Sequence, residues 1–193
     1  MTGKRREVTL RELALHLLDI AHNSVSAGAR NITITIIEDS QVDRLSMTVE
    51  DDGAGMDALT VQRVTDPFVT TRTTRNVGLG IPLLKAAAEA CNGDLTIQSK
   101  PGVGTRLDVV FQRSHIDRMP LGNLAETILT LVVGCPEVHW VFRYQVDGET
   151  FEFDDLPIKE ELKDIPLTEP AVLAYLRETL ENGVARVQQA CQS

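Results

Sequence analysis

The 193-residue chain carries 19 Lys and Arg against 28 Asp and Glu, a formal net charge of −9, so no general basic face exists to neutralise a nucleic-acid backbone. Its cysteines, Cys91, Cys135 and Cys191, lie far apart without a CxxC pair, which argues against a zinc site, an iron–sulfur site or a disulfide framework and fits a reducing compartment. The most apolar stretch, Ile128 to Gly134, is too short to span a bilayer and no signal peptide is evident. A soluble, cytoplasmic protein without nucleic-acid or membrane partners is therefore expected.

Along the chain, Leu10, Leu13, Ala14, Leu17, Leu18 and Ala21 recur at intervals of three and four, which predicts a helix over Thr9 to Ala27 ended by Gly28. Alternation at Ile32, Ile34 and Ile36, then at Leu45, Met47 and Val49, predicts two half-buried strands. The second runs into Asp51-Asp52-Gly53-Ala54-Gly55-Met56, and a short helix follows. Pro67 to Val77, with four threonines and two arginines, reads as a loop, after which Gly80 to Cys91 is helical and stops at Asn92-Gly93. Strands over Leu95 to Gln98 and Thr105 to Phe111 flank the turn Lys100 to Gly104. Beyond Arg113 the composition shifts. A buried helix over Leu124 to Val133, a hairpin closed by Asp147-Gly148 and a last helix over Pro170 to Gln189 form an αββα extension. The division expected is a domain over residues 1–113 and an extension over 114–193.

Four segments carry possible chemistry, and each has an ordinary alternative. The carboxylate of Asp51, delivered by a strand into a glycine turn, can accept a hydrogen bond from an exocyclic amine while Gly53 and Gly55 let the backbone pass close to a flat ring; the same composition also makes plain turns. Asp19 and Asn23 project from one helix face and present hard oxygens that suit Mg²⁺, or form a solvated polar stripe. Gly78-Leu79-Gly80 opens a helix whose free N–H groups suit an anion, or a simple cap. Thr105 follows a glycine turn and places a hydroxyl at a strand start, which a hairpin explains equally well.

All four occur in one order, and that set resembles the ATP-binding boxes of histidine kinases, DNA gyrase, heat-shock chaperones and mismatch-repair ATPases, the GHKL superfamily. Asp19 to Ala29 with its following strand is similar to the N-box of mismatch-repair ATPases, which begins with Glu where this chain has Asp19. Asp66 to Arg72 through Gly78-Leu79-Gly80-Ile81 resembles the lid and second glycine box of histidine kinases, and Lys100 to Thr105 their final box. The resemblance covers roughly residues 9 to 112. It implies an α/β two-layer sandwich of the Bergerat type, a mixed sheet covered on one face by helices. It also implies ATP and Mg²⁺ as ligands, with Asn23 on the metal, Asp51 on the adenine amine, Gly53, Gly55 and Met56 about the base and Thr105 supporting it. Gly78, Leu79 and Gly80 would face the phosphates, with Arg72 or Arg75 in the lid to neutralise them.

Two departures bear on activity. Only eight residues precede the first helix, so a complete histidine kinase with its own phospho-acceptor domain is not expected, and His16 and His22 read as structural or polar-face residues of the N-box helix. Asp19 is one methylene shorter than the family's catalytic glutamate, so hydrolysis is expected to be slow, with Asp19 able to serve as base for a partner's hydroxyl. The expectation is a regulatory ATPase or a protein kinase acting in trans on another protein, as anti-sigma-factor kinases of the superfamily do. The alternative is an ATP-gated interaction module that does not hydrolyse. The extension reads as a partner-docking or homodimerising element, and resembles the tail of small bacterial ATPase-like proteins associated with redox complexes.

Overall fold

The computed structural model describes residues 12–65 and 80–190, and its order is α1 (Leu13–Ser26), β1 (Asn31–Asp39), β2 (Arg44–Asp51), α2 (Ala58–Thr65), α3 (Gly80–Ala90), β3 (Asp94–Lys100), β4 (Gly104–Gln112), α4 (Leu124–Gly134), β5 (His139–Val146), β6 (Glu149–Asp154), α5 (Leu156–Leu162) and α6 (Pro170–Ala190). The expected segment Thr9 to Arg11 and the loop Pro67 to Val77 lie outside the described residues.

The strands form one mixed sheet in the order β3-β4-β2-β1-β5-β6. All neighbours are antiparallel except β1 and β5, which run parallel with Asn31 opposite His139 and Ile34 opposite Phe142. Period-two alternation decides which face is covered. Ile32, Ile34 and Ile36 of β1, Leu45, Met47 and Val49 of β2, Leu107, Val109 and Phe111 of β4 and Trp140, Phe142 and Tyr144 of β5 are all buried. Their sheet neighbours Thr33, Thr48, Glu50, Arg106 and Arg143 stand on the opposite, polar face. Among the described residues, α3 packs over β3 and β4, α1 beside it over β2, and α4 and α6 on towards β5 and β6, covering the apolar side. This is the two-layer α/β sandwich expected from the sequence.

The extension does not pack as a separate body. β5 and β6 lengthen the same sheet, and α4 lies between α1 and α6, so one apolar cluster runs from Leu13 to Val187. The hairpin turn is as read: Asp147 and Gly148 have φ of 48° and 97°, the two positive values that match the twist of a tight β-hairpin. One of the six described helices, α5, escaped the sequence reading. Helix α5 has only seven residues, a proline in its first turn and no fully buried side chain, so it carries no apolar period.

Candidate functional site

The site is built where α1, the β2 end and the β3–β4 turn converge. Helix α1 ends at Ser26, and Gly28, with φ of 77°, turns the chain into β1. Strand β2 ends at Asp51 and enters the glycine turn beside it. Gly55 has φ of 65°, and a Cβ there would stand 2.1 Å from the Lys100 carbonyl oxygen; at Gly104 a Cβ would stand 1.9 Å from the Asp51 carbonyl oxygen. Both glycines are therefore needed to bring the two turns together, with Gly102 N–H donating to Ala54 C=O across the gap at 2.8 Å.

Between these segments lies a cavity of about 320 Å³, in the size range of small-ligand pockets. Asn23, Asp51, Gly55, Met56 and Thr105 all line it. Its walls are mostly apolar, Ile20, Val49, Val64, Ile81, Ile97 and Leu107, supplied by six different elements. Asn23 is exposed at the lip. Gly53 is buried beneath, its N–H bound to Asp51, and a Cβ there would lie 3.1 Å from Ala27. Asp19, one turn before Asn23, is exposed and lies against the start of α3, where a Cβ on Gly80 would be 3.4 Å from its Oδ2. Arg72, Gly78 and Leu79 lie outside the described residues.

Asp51 is the most closely held group in the cavity. Its Oδ1 accepts from Gly53 N–H at 2.9 Å and Thr105 N–H at 3.3 Å, and its Oδ2 accepts from Ser24 Oγ at 2.6 Å. A carboxylate has about four acceptor positions, so three protein donors leave one for a ligand donor. The Thr105 hydroxyl meets Ser99 Oγ at 2.8 Å, and Ser99 in turn accepts from Met56 N–H at 2.8 Å. Ser24 and Ser99 were not legible in the sequence: each acts through one hydroxyl on a distant partner and belongs to no spacing. The neighbouring Asp52 turns the other way. Its Oδ1 accepts from the Arg30 and Asn31 N–H groups at 2.7 and 2.9 Å, and its Oδ2 from Asn31 Nδ2 at 2.6 Å. Partial burial pushes this carboxyl up, but those hydrogen bonds outweigh it and hold it below the ordinary aspartate value.

Residues 5–115 match the model of the histidine kinase-, DNA gyrase B- and HSP90-like ATPase family, which is more than half of the chain, and the protein belongs to that family. Among curated relatives, the sensor protein kinase FleS of Pseudomonas aeruginosa is 37% identical over 110 residues, covering 57% of this chain and 27% of that protein. The signal transduction histidine-protein kinase AtoS of Escherichia coli is 31% identical over 103 residues, covering 53% of this chain and 16% of that protein. The chain thus spans about a quarter or less of the curated relatives it matches. Among solved structures, the Aquifex aeolicus MutL ATPase domain complexed with ADP aligns over 88% of this chain and 68% of that chain, at 14% identity and a TM-score of 0.49. Among the described residues, no helix is long and apolar enough to cross a membrane.

Proposed function

We propose that this chain binds ATP with Mg²⁺ in the cavity between α1 and the β2 end, and acts as a regulatory ATPase or as a protein kinase in trans on another protein, in the cytoplasm. The observation that carries the reading is Asp51: fixed by three donors at the floor of an apolar slot, it retains one acceptor position, the complement of the adenine exocyclic amine. Apolar walls suit the faces of a purine, and the two glycines that admit the β3–β4 turn set the depth of the slot.

Asn23, at the lip, is the residue that would hold Mg²⁺, and its amide oxygen is a hard ligand of the right kind. The metal, when bound, would neutralise charge on the phosphates. Gly80 opens α3 and would present its N-terminal end to them, together with Gly78, Leu79 and Arg72 from outside the described residues. Asp19 would orient an attacking water or accept a proton from a partner's hydroxyl. A second reading is favoured by one feature: Asp19 does not line the cavity and its carboxylate rests against α3. In that reading ATP is a conformational ligand of a non-hydrolysing module that serves a redox or regulatory complex, with the extension as the partner or homodimer contact.

Calorimetric titration with Mg·ATP, followed by phosphate release in the same sample, tests both. Micromolar binding, about −8 kcal/mol, is expected, and Asp51→Asn should weaken it at least about tenfold because an amide cannot offer acceptors on both sides of the turn. Steady phosphate release selects the ATPase, and binding without release selects the module or a kinase lacking its acceptor. If the native protein binds no nucleotide, the whole reading fails.

A further inference from the structure

Asp52, joined through the backbone to Asp51 at the cavity, is tied by a chain of side-chain hydrogen bonds to the end of the β5–β6 hairpin, which lies beyond the residues matched to the ATPase family. Asp52, next to Asp51, holds Asn31 Nδ2 at 2.6 Å; Asn31 Oδ1 faces His139 Nδ1 at 3.0 Å; His139 Nε2 faces Asp154 Oδ1 at 2.9 Å. Asp154 Oδ1 also accepts the Leu156 N–H at 2.9 Å at the start of α5.

The donors and acceptors in this chain leave little freedom. The Asp52 carboxylate only accepts, so it fixes which end of the Asn31 amide points at it and turns the Asn31 oxygen to His139. Asp154 also only accepts. Both ring nitrogens of His139 therefore face acceptors, and both contacts are made together only by the doubly protonated ring. A neutral ring carries one proton, so one lone pair must confront either the Asn31 oxygen or the Asp154 carboxylate. The charged groups around the ring are Asp154 and Asp155 at the end of β6, whose ligand atoms lie within 4.8 Å of those of His139, Lys159 of α5, seated on Asp155 at 2.6 Å, Arg143 near Asp154, and Asp52 through Asn31.

We infer that His139 is a positioning residue for the nucleotide site: its protonated ring holds Asn31 and Asp52, and through them the turn that presents Asp51 and Gly53, so that nucleotide affinity depends on pH and on the state of the β5–β6 end. This rests on the ATP reading for its functional consequence, while the relay itself does not. Loss of the proton on raising the pH releases one contact of the relay and loosens the turn. Reciprocally, bound nucleotide should favour the protonated ring.

The test uses the full chain labelled with ¹⁵N. Over the pH range in which the His139 ring changes charge, the backbone amide signals of Asn31 and Gly53 should shift with the same midpoint as the His139 ring nitrogens, without nucleotide. Mg·ATP affinity, by calorimetry across the same range, should fall about three- to tenfold as pH rises, in keeping with one modest hydrogen bond. The His139→Gln variant should lose that slope. Ring titration that leaves Asn31 and Gly53 unmoved overturns the inference, as does an unchanged slope in His139→Gln; should that variant fold poorly, the native-protein titration still decides. Co-titration in a protein that binds no nucleotide would uphold the relay and sink the ATP reading instead.

Discussion

Two adjacent aspartates with opposite assignments organise the site. Asp51 faces the cavity and spends three of its acceptor positions on Ser24, Gly53 and Thr105, whereas Asp52 faces out and spends its own on Arg30 and Asn31. Gly55 fixes how closely the second turn approaches, and Gly55→Ala sets a methyl 2.1 Å from a backbone oxygen at a φ of 65°. A loss of about 1–3 kcal/mol is expected from the backbone conformation alone, seen as a lower melting temperature together with lost nucleotide binding. The depressed carboxyl of Asp52 gives a pH prediction. A native-state value below the unfolded one contributes stability that is present above the unfolded value and is lost as pH falls through the native one. Acid thermal melts of Asp52→Asn should therefore show a shallower decline below the ordinary aspartate range than the native protein. Equal slopes would mean that the Asp52 bonds contribute nothing to folding.

At the scale of elements, α6 crosses β6 at Gly183, where a Cβ would stand 2.2 Å from the Phe151 ring. Phe151 is itself held edge-on to Phe142, with ring centroids 6.3 Å apart, so it has little room to retreat. Gly183→Ala should gain helix propensity yet lose about 1–2 kcal/mol net to overpacking, and a rise in melting temperature would contradict this contact. What the sequence discloses follows the same physics. Strands β1, β2 and β5 were legible because one face is buried and the other wet, so Ile32, Ile34 and Ile36 alternate with polar or exposed positions. The hairpin at Asp147-Gly148 was legible because its turn needs positive φ. Helix α5 was not, since it buries nothing fully, and no local pattern announces that β5 joins β1 in parallel. In the site, residues tied to glycine boxes were readable, while Ser24, Ser99 and the Asn31–His139 contact depend on pairings made only by the tertiary fold.

For the whole molecule, the largest fully buried side chains include Trp140, Tyr144 and Phe142, all from β5, so the extension supplies much of the bulk beneath the helices. Trp140→Ala should cost about 3–5 kcal/mol by denaturant titration, with the nucleotide cavity lost in the same transition because one core serves both. A chain ended at Arg113 should lack a cooperative melting transition, since α1 loses α4 and β1 loses a neighbour. The parallel pairing of β1 with β5 also sets an order of events during synthesis. Its partners stand 108 residues apart, so after β2 and β4 have emerged the far edge of β1 has nothing to bond until His139 to Val146 leave the ribosome. At roughly 5–20 residues per second that interval lasts on the order of seconds, during which an apolar-alternating strand edge faces solvent. The nascent chain is therefore most exposed to mispairing between the emergence of β4 and that of β5, and a pause anywhere in that stretch would lengthen the exposure.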